Sequence, residues 1–430
     1  MRSSGSWKES LGVYFSFRMA GVFFLGVSSG LPLLLTGSTL FARLKDGNVE
    51  LSTIGLFALL SLPYTLKFLW APAADQVRIF YLGRILGHRR SWMLVSQIFL
   101  MLCLFGMGHI DVTRDVAAAA LLSLCIAFFS SVQDIVIDAY RVELLQVDEQ
   151  AAGAAMVVSG YRIGMLLTGA GALALADSLG WGDVYILCGL LMLIGMITVF
   201  FLKEGKRDFT VSTRQSFPEW FKRSVILPFT EFFRREYAVS ILLFIALFKL
   251  GDALAGALSM PFYLEMGFSK ESIAGISKVF GLGTTLFGAF LGGIFVRRHG
   301  MMHGLLLCGV LQLLSNFAFV WLSYVGDNHA VLVVVIAVEN ISGGMGTAAF
   351  VGYMSSLCHR EFTATQYALL SSLSSVGRTL LSSSTGFIVE VTGWSLFFVF
   401  TAVAAVPGLL LLKRIWGISG DRSDEMPLSS

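Results

Sequence analysis

Between residues 19 and 412 the chain returns twelve times to a long, mainly apolar run. Each is close to the roughly 20 residues that a helix needs to cross the hydrocarbon core of a bilayer. The runs cover about 19–41, 52–73, 92–110, 116–139, 152–177, 184–202, 238–264, 272–296, 304–325, 330–357, 365–391 and 394–412. No run is strongly strand-like, and an open sheet cannot satisfy its edges in lipid. Charged residues make up only 14% of the chain, against about a quarter in soluble domains. The expected fold class is therefore an all-α integral membrane protein with twelve transmembrane helices. Before the first run, "MRSSGSWKESLGVYFSFR" is polar and basic, and the run itself is long enough to stay as a spanning helix rather than a cleaved leader. Cys103, Cys125, Cys188, Cys308 and Cys358 are scattered singly through apolar segments with no CxxC or metal spacing, so they read as buried thiols, and no metal site is expected.

Lysine and arginine in short loops set the orientation of such a chain. With the N-terminus inside, the inner segments hold Arg78, Arg84, Arg89, Arg90, Arg141, Arg297, Arg298, Arg360 and the basic tails, and the linker after residue 202 adds eight more. The outer loops hold only Arg43, Lys45, Arg114 and Lys270. Both termini and the linker are thus expected in the cytoplasm. The organisation reads as a six-helix bundle over 1–202, a linker over 203–237 and a second six-helix bundle with a short tail over 238–430. Within the linker, "FPEWFKRSVILPFTEFFRRE" mixes bulky aromatics with basic residues. It suits an amphipathic helix on the inner leaflet; a flexible, aromatically anchored tether is the plainer alternative.

The halves repeat one another. Gln150 is followed by Arg162, Asp177 and Gly-Trp at 180–181, and Gln366 by Arg378, Glu390 and Gly-Trp at 393–394. Repeated six-helix halves resemble the organisation of major facilitator transporters, a pair of pseudo-symmetric bundles. The stretch "APAADQVRIFYLGRILGHRRSW" resembles the signature loop of that superfamily in stretched form, with Asp75, Gly87, Arg89 and Arg90 as its parts. The matching loop of the second half, "GGIFVRRHG", keeps a basic pair without the acid. Such a loop makes charge contacts that hold one gate state and does not read substrate.

An ionisable side chain at bilayer depth costs about 2.5 kcal/mol or more and calls for a partner or a wet cavity. Those within the runs are Lys67, Asp134, Asp138, Arg162, Lys249, Asp252, Lys278, Glu339 and Arg378. In a facilitator fold helices 1, 4, 7 and 10 line the central cavity. Asp134 and Asp138 then fall on helix 4, Lys249 and Asp252 on helix 7, and Glu339 with Asn340 on helix 10. Asp134 and Asp138 share a helical face. Asp134 is either one half of an ion pair with Arg162 that locks helices 4 and 5, or a cavity carboxylate able to carry a proton. Asp138, nearer the cytoplasm, is assigned to the inner gate with Arg141. Lys249 and Asp252, three apart, form either a self-neutralising pair or a substrate contact. Glu339 reads as a proton carrier or an outer-gate contact. Lys67 and Lys278 snorkel or buttress, and Arg378 reaches an anionic ligand. No nucleotide loop, metal cluster or nucleophile–base arrangement is present in the sequence. The chain is therefore expected to be a transporter rather than an enzyme, without cofactor or nucleic-acid partner, and driven by a gradient rather than ATP.

Several segments in order carry a closer likeness: "GLPLLLTGSTL", "YTLKFLWAPAAD", "SVQDIVIDAYRVELL", "AGAAMVVSGYRIGML", "FKLGDALAGAL", "ENISGGMGTAAFVGYMSSLC" and "FTATQYALLSSLSSVGR". Together they resemble AmpG-type muropeptide permeases, from about residue 25 to 410. Some members of that family carry two further hydrophobic segments beyond the point where this chain ends. The resemblance implies a bacterial inner-membrane importer of GlcNAc–1,6-anhydro-MurNAc and its peptides, driven by the proton gradient, acting in peptidoglycan recycling and upstream of β-lactamase induction. A monomer is expected. The residues are compatible with this: Arg162, Lys249 and Arg378 suit substrate carboxylates, and Gln133, Asn340, Tyr64, Trp70 and Tyr161 suit sugars and amides. Asp134, Asp252 and Glu339 are protonatable, and Asp75, Arg89, Arg90, Asp138 and Arg141 are assigned to gating. A facilitator-type carrier of acetyl-CoA and a non-transporting sensor or scaffold are the competing readings; the former calls for a more cationic cavity.

Overall fold

A computed structural model describes residues 11–79, 81–204, 222, 226–382 and 385–421, at some of them the backbone alone. Among the described residues every regular element is helical. Among the described residues eleven helices are long and apolar enough to cross a membrane. We number the rods in chain order: α1 Phe17–Asp46, α2 Ser52–Leu69, α3 His88–His109, α4 Val116–Leu144, α5 Val147–Leu179, α6 Trp181–Phe201, α7 Ala238–Glu265, α8 Gly275–His299, α9 Met301–Val325 and α10 His329–Ser356. Then follow α11 Thr363–Ser382 and α12 Thr385–Asp421. The run expected at 365–391 is the one that fails as a free-standing apolar span, because α11 carries serines at 371, 372, 374 and 375. Its end and its successor are divided at Gly393, whose φ of 75° breaks α12.

Two membrane rods are interrupted where the site is built. α2 is a chain of short turns rather than one helix, with Pro63 at the start of the turn Leu62–Thr65 and a final turn Lys67–Leu69. α7 is cut at Lys249 and at Leu258, both with ψ near zero. Most of the expected linker helix lies outside the described residues; within them a short helix, Leu227–Phe233, leads into α7.

Close backbone approach holds α1 to α5. A Cβ at Gly30 would lie 2.1 Å from the carbonyl oxygen of Tyr161, and one at Gly160 2.1 Å from that of Phe23. Only hydrogen fits there, so the two helices pack with their backbones in contact, the arrangement that small residues permit in lipid. Elsewhere α3 packs on α4, α8 on α10, and α9 on α10 and α12. Contacts between the halves gather at one end: α5 meets α8 and α10, and α11 meets α4 and the segment 67–76. The repeated glutamines both tie down the turn before their helix. Gln150 donates to the carbonyls of Val142 and Leu145, and Gln366 accepts from the backbone N–H of His359.

Candidate transport site

At the end where the halves meet, a buried charge cluster joins them. Arg89 is fully buried at the start of α3 and donates to Asp75 at 2.6 Å and to Glu143 at 2.7 Å. Two carboxylates against one guanidinium leave a net negative charge. It is met by the first turn of α11. Asp75 accepts from the N–H of Ala364 at 3.2 Å and from the N–H and hydroxyl of Thr365 at 2.8 and 2.7 Å. The N–H groups of a helix start have no partner within the helix and favour an anion. Asp75 thus caps a helix of the other half while bridged to its own.

Three further contacts cross the same boundary. Arg141 is fully buried, lies 3.6 Å from Asp138, donates to Gln150, and stacks over the Tyr367 ring of α11. Arg297 of α8 reaches Glu149 at 4.0 Å, and Glu149 also holds Arg18. Tyr14, just before α1, donates to the Phe290 carbonyl of α8 at 3.0 Å. Glycines let the backbones close: a Cβ at Gly352 would lie 2.9 Å from Cα of Ala151, and one at Gly293 2.9 Å from Cα of Ala152. Arg90 does not join the halves. Its guanidinium donates to the carbonyls of Val199 and Phe200 and so caps α6 within its own half. The carboxyl of Glu204, just beyond α6, accepts from the backbone N–H groups of Arg89 and Arg90. Burial raises it above the ordinary carboxylate range, and those two bonds offset part of the shift.

Above this closed end lies a cavity of about 410 Å³ walled by both halves. Asp134, Asp138 and Ile137 of α4, Ser29 of α1, Lys67 of α2 and Tyr161 with Val157 and Val158 of α5 form one side. The other side is Lys249 of α7, Thr347, Phe350, Val351 and Met354 of α10, and Tyr367, Ser371, Ser374 and Ser375 of α11. Asp134 accepts from the Ser29 hydroxyl. Lys249 sits at the break in α7 and donates to Asp252 at 2.8 Å and to the Gly343 carbonyl at 3.3 Å. The wall therefore offers carboxylate, ammonium and hydroxyl groups beside one apolar strip.

Several side chains expected at the site lie elsewhere. Gln133 is fully buried in the first bundle and does not line the cavity. Its neighbour Asp134 takes the cavity face, and one residue along a helix turns the side chain by about 100°. Arg162 is exposed beside Tyr161 and forms no pair with Asp134; Lys67 shares the cavity wall with that carboxylate. Asn340 and Glu339 bond each other, and Asn340 accepts from Thr285, which ties α10 to α8 away from the cavity. Trp70 donates to Ser131 and packs on Phe128. Tyr64 lies behind the wall beside Ser130 and Asp134. Asp252 reaches the cavity through Lys249. The side chain of Arg378 lies outside the described residues. Sequence reasoning took Lys67 as a snorkelling or buttressing residue, whereas it lines the cavity, and did not single out Tyr367 or the serines of α11. For the serines a signal existed, since Ser371, Ser374 and Ser375 repeat at helical spacing in an otherwise apolar run.

Residues 11–382 match the model of the Major Facilitator Superfamily. The chain belongs to that superfamily. Within it, the chain belongs to the AmpG branch. It is 41% identical to the anhydromuropeptide permease of Escherichia coli K12 over 398 residues, which is 92% of this chain and 79% of the relative. It is 38% identical to a Rickettsia conorii protein named AmpG 4 over 405 residues, 94% of this chain and 97% of the relative. Solved facilitators share the fold at low identity. The E. coli fucose:proton symporter aligns with a TM-score of 0.69 at 10% identity, covering 94% of this chain and 98% of its own. A proton:xylose symporter aligns at 0.65 and 12% identity, covering 94% of this chain and 96% of its own. The facilitator chain is thus a multi-pass membrane transporter, and its family is not one of enzymes.

Proposed function

We propose that this facilitator imports GlcNAc–1,6-anhydro-MurNAc and its peptides into the cytoplasm, as a step of peptidoglycan recycling. The observation that carries the reading is the likeness to the E. coli anhydromuropeptide permease along nearly the whole chain. The cavity supports it. A muropeptide offers hydroxyls, amides and carboxylates, and the wall sets the serines of α11 and Thr347 against Lys67 and Lys249. The proton gradient drives the import, with Asp134 as the carboxylate that takes and releases the proton. No other carboxylate lines the cavity among the described residues without a direct cationic partner. In species that sense wall fragments, the imported sugar–peptides are the signal for β-lactamase induction.

The membrane is the bacterial inner membrane, with both termini and the linker on its cytoplasmic side; the excess of lysine and arginine on one side supports this orientation. The end closed by Asp75, Arg89 and Glu143 is then the cytoplasmic one, and the described state is closed toward the cytoplasm. The carrier works as a monomer. The test is uptake of labelled anhydro-muropeptide into proteoliposomes, with and without an inward proton gradient. Accumulation only with the gradient is expected. Equal uptake without it removes the coupling, transport of acetyl-CoA instead removes the cargo, and no flux of either removes the transport reading.

A further inference from the structure

The charges around the cavity fall into couples, and one couple does not touch. Asp138 has Arg141 at 3.6 Å, and Asp252 has Lys249 at 2.8 Å. Asp134 has the Ser29 hydroxyl and no direct cation. Lys67 faces the same cavity from the last turn of α2, half-buried, with neither a hydrogen bond nor a close ion pair of its own among the described residues. Asp134 and Asp138 line that cavity with it. Lys67 is thus the one described ammonium of the cavity wall without a close partner of its own, and it shares that wall with Asp134.

Resting on the cargo reading above, we propose that Lys67 couples the two: an anionic group of the cargo binds its ammonium, and Asp134 takes up a proton in the same step. A cargo carboxylate at Nζ adds one negative charge and draws the field of Lys67 toward itself. Asp134 then stands in a poorly solvated wall with less to offset its charge, the circumstance in which a carboxylate takes a proton. The carboxylate of Asp134 accepts that proton from water, and the cargo keeps its charge. One anion and one proton enter, so the charge of the cavity is the same before and after. The linkage is reciprocal: the proton on Asp134 removes a competitor for Lys67 and so favours the anion. The other titratable groups around Asp134 are Asp138 of α4, Tyr161 of α5, Lys249 of α7 and Tyr367 of α11 on the cavity wall, and Tyr64 of α2 behind it. Asp138 and Lys249 have their own partners, and the tyrosines are uncharged at neutral pH.

The experiment uses the full chain in lipid nanodiscs and two probes: the disaccharide GlcNAc–1,6-anhydro-MurNAc, which carries one lactyl carboxylate, and its neutral methylamide. Titration calorimetry in buffers of different ionisation enthalpy gives affinity and protons taken up per ligand. In the wild type, proton uptake with the acid and none with the amide is expected. Lys67→Met should bind the acid about 10- to 100-fold more weakly, the value of one charge-assisted contact, and lose the proton uptake. Lys67→Arg should restore both, and unchanged affinity of Lys67→Met for the amide shows an intact site. Wild-type acid affinity and proton uptake in Lys67→Met overturn the proposal, as does equal proton uptake with the amide. If Lys67→Met does not fold, the wild-type comparison of acid with amide decides alone. If the wild type binds neither sugar, the cargo reading fails, and the same comparison of wild type with Lys67→Met is made on the anion identified by the uptake assay.

Discussion

Replacing Asp75 by asparagine tests whether the closed end is held as its geometry says. Asp75 is 1% exposed. Its Oδ1 accepts from Arg89 and from the Ala364 N–H, and its Oδ2 from the N–H and hydroxyl of Thr365. Asparagine keeps one acceptor oxygen and turns the other into a donor. With the oxygen kept toward Arg89, an NH₂ group faces the N–H of Thr365, itself buried. A buried donor left without its acceptor costs about 1–3 kcal/mol, and a bond to a charged group contributes about 1.5–3 kcal/mol. Arg89 keeps Glu143, so no charge is stranded. The expected net loss is about 3 kcal/mol, and all of it falls on the closed state, because the bonds to Thr365 exist only when the halves touch. That is about a hundredfold shift toward opening at this end. Spin labels at Ile85 and Glu361, on a background lacking the five native cysteines, read the separation by pulsed electron resonance. A longer distance in Asp75→Asn than in its parent is expected. An unchanged distribution with unchanged uptake would show that the cluster does not set the gate.

Gly352→Val puts a branched side chain where Cα of Ala151 lies 2.9 Å from the new Cβ; the same label pair should report an end that no longer closes, with uptake abolished. Gly160→Leu meets the Phe23 backbone and should lower the melting temperature in detergent, by the equivalent of at least about 1–3 kcal/mol for overpacking. Arg43 donates to the Met107 and Ile110 carbonyls at 2.7 and 3.0 Å and stacks on Tyr185. Arg43→Lys should therefore destabilise by about 1.5–3 kcal/mol while leaving the affinity for cargo unchanged in a binding assay. Asp134→Asn should abolish gradient-driven accumulation yet retain exchange of labelled for unlabelled cargo; preserved accumulation would make Asp134 structural.

Much of this architecture was legible because lipid leaves a chain few choices. Apolar length marks the rods, and a charge inside a rod marks a lined cavity, which is why Asp134, Asp138 and Lys249 are expected on a cavity wall; the structure sets all three around one cavity. What the sequence hid follows from departures from ideal helices. Lys67 lies in α2, whose turns around Pro63 follow no single helical period, so the direction of its side chain could not be counted along the run. Gln133 was placed by its neighbour, although adjacent residues point to different faces. An ion pair between Arg162 and Asp134 needs side chains that face each other, and the order of the helices says nothing about azimuth. The partner of Asp75 is 289 residues away in the chain, and no local pattern announces which helix start an acid will cap.

The serine-rich face of α11 carries a consequence for how the chain is made. A segment this polar enters a bilayer poorly by itself, since each hydroxyl must find an acceptor in hydrocarbon. Here those of Ser371 and Ser374 bond back to carbonyls one turn earlier, while Ser372 is buried. Its insertion therefore leans on apolar helices already in place, such as α10, and on α12 following it out of the ribosome. Changing those serines to leucine would help the segment enter the membrane and at the same time strip the cavity wall of its hydroxyls. The face that lines the cavity is the one that makes this helix dependent on its neighbours for its place in the membrane.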